Sequence, residues 1–76
     1  MTNKERAWLN SEIADAQLKL AEADFAEVAE KAYPYAVSGE LMPEALRLEV
    51  QEALEKLKEA RKNREEATRV LNEVRA

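Results

Sequence analysis

The sequence predicts an all-α fold: an antiparallel two-helix coiled-coil hairpin that dimerises into a four-helix bundle. Apolar residues recur every 3.5 positions in two stretches, and the two ladders pair mostly large residues against small ones if the chain folds back near Gly39. The composition, 37% charged with one Gly and two Pro, is typical of long helices and coiled coils. We therefore predict one helical hairpin over residues 1–76.

The two ladders define the predicted seam between the helices. The first consists of Ala7, Ser11, Ala14, Leu18, Ala21, Phe25, Val28 and Ala32. The second consists of Leu46, Val50, Ala53, Leu57, Ala60, Arg64, Ala67 and Leu71. Small residues opposite large ones allow a close approach of the two helices, and this fixes their register.

The first helix is predicted to begin at Asn3 and to run to about residue 36. Thr2 and Glu5 have the Thr-x-x-Glu spacing of a capping box, which satisfies free N–H groups at a helix start. Pro34 lacks a backbone N–H and disfavours helical geometry at Tyr33. We therefore expect a break or kink of the helix at Pro34.

A turn over about residues 38–42 is predicted to join the two helices. Gly39 can adopt the left-handed conformation that commonly ends a helix. The second helix is predicted to span about residues 43–75: Pro43 suits a first helical position, Glu44 suits the positive end of the helix dipole, and residues 44–75 contain neither Gly nor Pro.

The first helix carries a second apolar stripe, roughly opposite the seam at 100° per residue, and the second helix has no counterpart. This stripe consists of Leu9, Ile13, Ala16, Leu20 and Ala23. Two helices bury little apolar surface, and a chain without Cys gains nothing from disulfides. We expect the stripe to bury against a second copy; docking of a different protein and simple exposure are the alternatives.

Arg64 is the one charged residue at a seam position, where it lies opposite Ala14. We expect its guanidinium to reach Asp15, Asn10 or Gln17 at the edge of the seam. Single polar residues at such positions often set the register of a coiled coil, so we assign Arg64 that role in preference to ligand binding.

Trp8 lies on the flank between the two stripes of the first helix. It is expected either to pack against the second helix near Arg69 and Val70, by cation–π stacking for example, or to extend an interface formed by the second stripe.

A further group of large apolar residues marks the tip of the hairpin. This group consists of Tyr33, Tyr35, Leu41 and Met42. Either they cap the open end of the bundle or they bind a partner, since polar residues would suffice in a simple turn.

The residue types argue against catalysis. The chain has no His and no Cys, its hydroxyl groups lie beside no plausible base, and its carboxylates are spread among opposite charges. We therefore expect no enzyme activity, no cofactor and no metal.

Nucleic acid and membrane partners are not expected either. The net charge is −4, and the densest basic stretch, residues 56–64, points in nearly every direction on a helical wheel. The chain has no apolar run as long as a membrane span and no signal-type apolar core near its start, so we expect a cytoplasmic protein.

The first ten residues, with Met1-Thr2, Glu5 and Leu9-Asn10, are similar to the opening of the Rop family of plasmid copy-number regulators. These are dimeric helical hairpins that bind paired RNA loops, so the resemblance implies an RNA-binding regulator. The basic residues that such proteins present on their first helix have few counterparts here: Lys4, Arg6, Lys19 and Lys31. In size the chain also resembles the hairpin co-chaperones of type III secretion needle subunits.

From these observations we predict a non-catalytic protein–protein interaction module, namely an adaptor, co-chaperone or inhibitor. It would self-associate as a homodimer and bind or occlude an unidentified protein partner. An RNA-binding regulator on a dimeric four-helix bundle and a purely structural assembly subunit are the alternatives.

Overall fold

The computed structural model describes residues 1–75, which form two helices, α1 (Asn3–Ser38) and α2 (Glu44–Arg75). No strand occurs in this part of the chain. The helices pack along an elongated body of 54 × 17 × 15 Å. The predicted all-helical hairpin is confirmed.

α1 begins where Thr2 caps it. Thr2 is extended, with φ −76° and ψ 166°, and its Oγ1 accepts a hydrogen bond from the Glu5 N–H at 3.1 Å. The same hydroxyl donates to Glu5 Oε1 at 3.1 Å, and the Thr2 carbonyl accepts from the Arg6 N–H at 3.0 Å. The cap therefore satisfies one of the free N–H groups at the helix start, that of Glu5, and the Arg6 N–H makes the first helical hydrogen bond.

α1 includes Pro34 and ends at Ser38, two residues beyond the end expected from the sequence. Gly39 follows with φ 74° and donates its N–H to the Tyr35 carbonyl at 3.0 Å. Ser38 Oγ accepts a hydrogen bond from the Glu40 N–H at 3.3 Å. A Cβ at Gly39 would meet nothing within 4 Å, so the left-handed backbone alone favours glycine there.

α2 starts at Glu44, immediately after Pro43. The Pro43 carbonyl accepts from the Arg47 N–H at 3.0 Å and closes the first helical turn, and Glu44 lies at the positive end of the dipole. The turn between α1 and α2 thus covers residues 39–43.

The core of the hairpin is the predicted seam. Its buried residues are Ala7, Ala14, Leu18, Ala53, Leu57, Ala60 and Leu71, all of them members of the two ladders. The other ladder residues are half-buried, with the exception of Arg64, which is exposed. Leu18, Leu57 and Ala60 form the central cluster, against which Ala21 and Phe25 pack.

Two ion pairs link α1 to α2, and their residue numbers show the relative direction of the two helices. Arg64 pairs with Asp15 at 3.1 Å, and Lys31 pairs with Glu49 at 3.7 Å. A higher number on α1 therefore meets a lower number on α2, as an antiparallel hairpin requires.

Leu57 tests how much of the stability lies in the seam. Because Leu57 is the most buried large residue, at 4% exposed, we expect Leu57→Ala to lower the free energy of unfolding by roughly 2–4 kcal/mol. Leu48→Ala is the matched control on the exposed face of α2, with an expected loss under about 0.5 kcal/mol. Denaturant unfolding followed by circular dichroism measures both, and equal losses would contradict the assignment of the core.

Candidate functional site

The second stripe of α1, called the outer stripe below, lies on the side of the helix that α2 does not cover. It comprises Leu9, Ile13, Ala16, Leu20 and Ala23. Leu9 is 38% exposed, Ile13 47% and Leu20 68%, and both alanines are also exposed. Its members repeat at steps of four and three residues, so they form one continuous apolar surface along about four turns of helix.

The outer face of α2 is different. Among its large apolar side chains only Leu48 and Val70 are strongly exposed, and charged residues surround them. α2 is therefore a one-sided amphipathic helix, whereas α1 is apolar on two sides. α1 is therefore the helix that has an exposed apolar face outside the seam.

Trp8 lies on the flank of α1 and is 52% exposed. The guanidinium of Arg69, a candidate stacking partner for Trp8, is held on its own helix by Glu73 at 2.9 Å and Glu66 at 3.8 Å. Half of the surface of Trp8 thus faces solvent, at the end of the hairpin opposite the turn.

The tip residues divide into two pairs. Tyr35 and Met42 are half-buried, whereas Tyr33 is 68% exposed and Leu41 85%. With their neighbours they surround a mainly apolar concavity of about 500 Å³, called the tip concavity below. Its lining is completed by Ala29, Ala32, Ala36, Glu40, Arg47 and Val50.

This division indicates two roles at the tip. Tyr35 and Met42 line the concavity together with Ala32 and Val50, two of the ladder residues at this end, and so lie at the end of the seam. Tyr33 and Leu41 leave most of their apolar surface free. Exposed large apolar side chains beside a concavity are typical of an interaction site.

Arg64 turns from the seam to the edge of the hairpin and contacts Asp15. The Arg64 Nε lies 3.1 Å from Asp15 Oδ1, and the Lys19 Nζ lies 3.2 Å from Asp15 Oδ2. Each oxygen of this carboxylate therefore has its own cation. The Arg64 side chain remains about half exposed, at 52%, so solvent screens the pair.

The hydrogen bond from Lys19 lowers the pKa of the Asp15 carboxyl below its ordinary value. Partial desolvation opposes this shift, and the positive charges of Lys19 and Arg64 add to it. Because the pKa is lowered in the folded state, the cluster stabilises the hairpin above the ordinary pKa of aspartate. That contribution is lost as the pH falls through the lowered pKa.

The described residues offer little for other chemistry. Within residues 1–75 no three acidic side chains come together in a way that could hold a metal ion. No buried side-chain nitrogen or oxygen there lacks a hydrogen-bond partner. Neither α1 nor α2 contains a stretch that is both long enough and apolar enough to cross a membrane.

Comparison with known proteins gives no match for the chain among protein-family models, curated proteins or solved structures. The outer stripe, Trp8 and the tip concavity are therefore the features from which a function is inferred. The outer stripe, Trp8 and the four tip residues Tyr33, Tyr35, Leu41 and Met42 were predicted from residue type and helical spacing. The contribution of Ala29, Ala36 and Arg47 to the tip was not, because they meet only when the turn folds over both helices.

Arg64→Leu tests whether the seam needs its one cation. We expect a rise of a few degrees in Tm, because leucine would bury opposite Ala14 while the lost ion pair is solvent-screened. Thermal unfolding and light scattering measure stability and mass. Arg69→Leu is the control, since it removes exposed ion pairs outside the seam and is expected to give no rise. A lower Tm for Arg64→Leu would mean that the ion pair outweighs the added burial.

The two tyrosines test the division of the tip. Tyr35→Ala is expected to lower the free energy of unfolding by roughly 1–2 kcal/mol because Tyr35 is half-buried, and Tyr33→Ala by under about 0.5 kcal/mol. Denaturant unfolding of both variants decides the point. A loss at Tyr33 as large as that at Tyr35 would make Tyr33 part of the cap.

Proposed function

We propose that the protein is a non-catalytic protein-interaction module that works as a homodimer. The outer stripe of α1 is the dimer face, and the tip concavity or Trp8, at the opposite end of the hairpin, is the surface for a protein partner. The observation that carries this proposal is the continuous apolar outer stripe, which the hairpin does not use for its own folding.

The thinness of the core supports association. Four of the seven buried residues are alanines, so the seam buries few large side chains. A helical hairpin of this size has no disulfide to add stability, since the chain contains no Cys. Burial of Leu9, Ile13 and Leu20 from two copies would contribute several kcal/mol, at about 25 cal/mol per Å² of apolar surface, before the entropy of association is subtracted.

The position of the outer stripe determines the shape of such a dimer. Each α1 would contact its own α2 on one side and the second α1 on nearly the opposite side. The four helices would then lie side by side, with the two α1 helices at the centre. In a square four-helix bundle each helix instead meets its two neighbours on adjacent faces, so the outer stripe favours the layered arrangement.

The charges of α1 favour a protein partner over RNA. Lys19 and Lys31, two of its four basic residues, are already paired with Asp15 and Glu49. An RNA backbone would need several free cations on one face, and its binding would weaken steeply with salt. An apolar tip suits the surface of another protein, which the module would occlude or hold as an adaptor, co-chaperone or inhibitor.

Ile13→Glu tests the dimer face. We expect the wild type to be a dimer and Ile13→Glu a monomer, because the change places two carboxylates within an apolar interface. Size-exclusion chromatography with light scattering gives the mass, and circular dichroism reports folding.

Leu48→Glu is the matched control, since Leu48 is 52% exposed, close to the 47% of Ile13, but lies on α2. It is expected to remain a dimer. Leu20→Glu is a second test of the same face in case Ile13→Glu fails to fold, because Leu20 is 68% exposed and lies outside the core. Dimeric Ile13→Glu and Leu20→Glu proteins, or a monomeric wild type, would contradict the proposal.

A further inference from the structure

We infer that the two copies join their outer stripes antiparallel, with Ile13 of each copy against Ala16 of the other and Leu9 against Leu20. This inference rests on the proposed dimer and adds its orientation and register. It makes the dimer a bivalent rod with one tip concavity at each end.

The spacing of the outer stripe restricts the antiparallel registers. Its members alternate between steps of four and three residues, as the two alternating core positions of a coiled coil do. These two core positions are called a and d, and in an antiparallel pair each a position of one helix lies opposite a d position of the other. The register above satisfies this rule, with its twofold axis between Ala14 and Asp15.

The charges beside the stripe select this register. Glu12 and Lys19 lie on the same flank of α1, seven residues apart, so they cannot pair within one helix. In the proposed register Glu12 of each copy lies across from Lys19 of the other, which gives two symmetric ion pairs. Glu12 takes part in no ion pair within residues 1–75.

Lys19 can serve such a pair without leaving Asp15 unpartnered. Asp15 is held by Arg64 at 3.1 Å as well as by Lys19 at 3.2 Å, and Lys19 is 75% exposed. The long lysine side chain can therefore turn to Glu12 of the second copy while Arg64 keeps Asp15 paired.

The other arrangements are less favourable. A shift of the antiparallel register by one heptad sets Lys19 against Lys19 in one direction and Glu12 against Glu12 in the other, so like charges meet in both cases. In a parallel pair Lys19 could pair with Asp24 of the other copy. Ala16 would then lie opposite Ala16, between a layer of two Ile13 side chains and a layer of two Leu20 side chains. That alternation leaves a gap at the small layer, which the proposed register avoids.

The register has a consequence for function. The α1 helices of the two copies would overlap over residues 3–26. Residues 27–38 and the tip of each copy would project beyond this overlap, one copy at each end. At 1.5 Å per residue the two tips lie about 70 Å apart. The dimer would then hold two partner molecules apart, as a spacer, where a parallel dimer would bring them together.

Distance measurement between spin labels tests the orientation. The chain has no Cys, so Glu30→Cys gives a single labelling site, on an exposed residue outside the overlap. Pulsed electron paramagnetic resonance of the labelled full chain is expected to give about 45 Å. About 36 Å or about 57 Å would indicate the register shifted by one heptad in one direction or the other, and about 10 Å a parallel pair. Either result overturns this inference while the dimer stands, whereas a monomeric sample overturns the proposed function as well.

Charge reversal tests the register independently. Glu12→Lys is expected to raise the dimer dissociation constant about tenfold, because two attractive pairs become repulsive. Combining it with Lys19→Glu is expected to recover most of the affinity. Glu22→Lys, the same change at an exposed residue away from the stripe, is the control. Equal effects of Glu12→Lys and Glu22→Lys in sedimentation equilibrium, with folding checked by circular dichroism, would refute the register.

Discussion

The contact between α1 and α2 along the seam is the interaction on which the rest of the structure depends. Leu57, at 4% exposed, lies with Leu18 and Ala60 at its centre. Because small residues oppose large ones, the helices can approach closely in one register, and that register brings Arg64 to Asp15. The same contact leaves the outer stripe on the far side of α1, so the candidate interface is a direct consequence of how the seam pairs.

The seam also explains why a chain of this kind would keep an exposed apolar surface. A core built largely of alanine allows close helix packing but buries little area, which limits the stability of the isolated hairpin. Association through α1 would add burial without changing the seam. The charged outer face of α2 would meanwhile limit unwanted contacts on the opposite side.

At the tip, one short segment both ends α1 and shapes a surface. Gly39 closes the helix through the Tyr35 carbonyl, while Tyr33 and Tyr35, two positions apart on a helix, point in directions about 160° apart. One of them therefore covers the seam end and the other faces solvent. The turn then brings Leu41 and Met42 to the same concavity.

The sequence by itself determined the two helices, the seam residues and the exposed face of α1, because helical spacing and caps such as that of Thr2 are local properties of the chain. Only the tertiary structure decided that Arg64 contacts Asp15 and not Asn10 or Gln17, and that Tyr35 is half-buried while Tyr33 is exposed. These outcomes depend on how the turn and the second helix pack against the first, and such long-range contacts leave no periodic signal in the sequence.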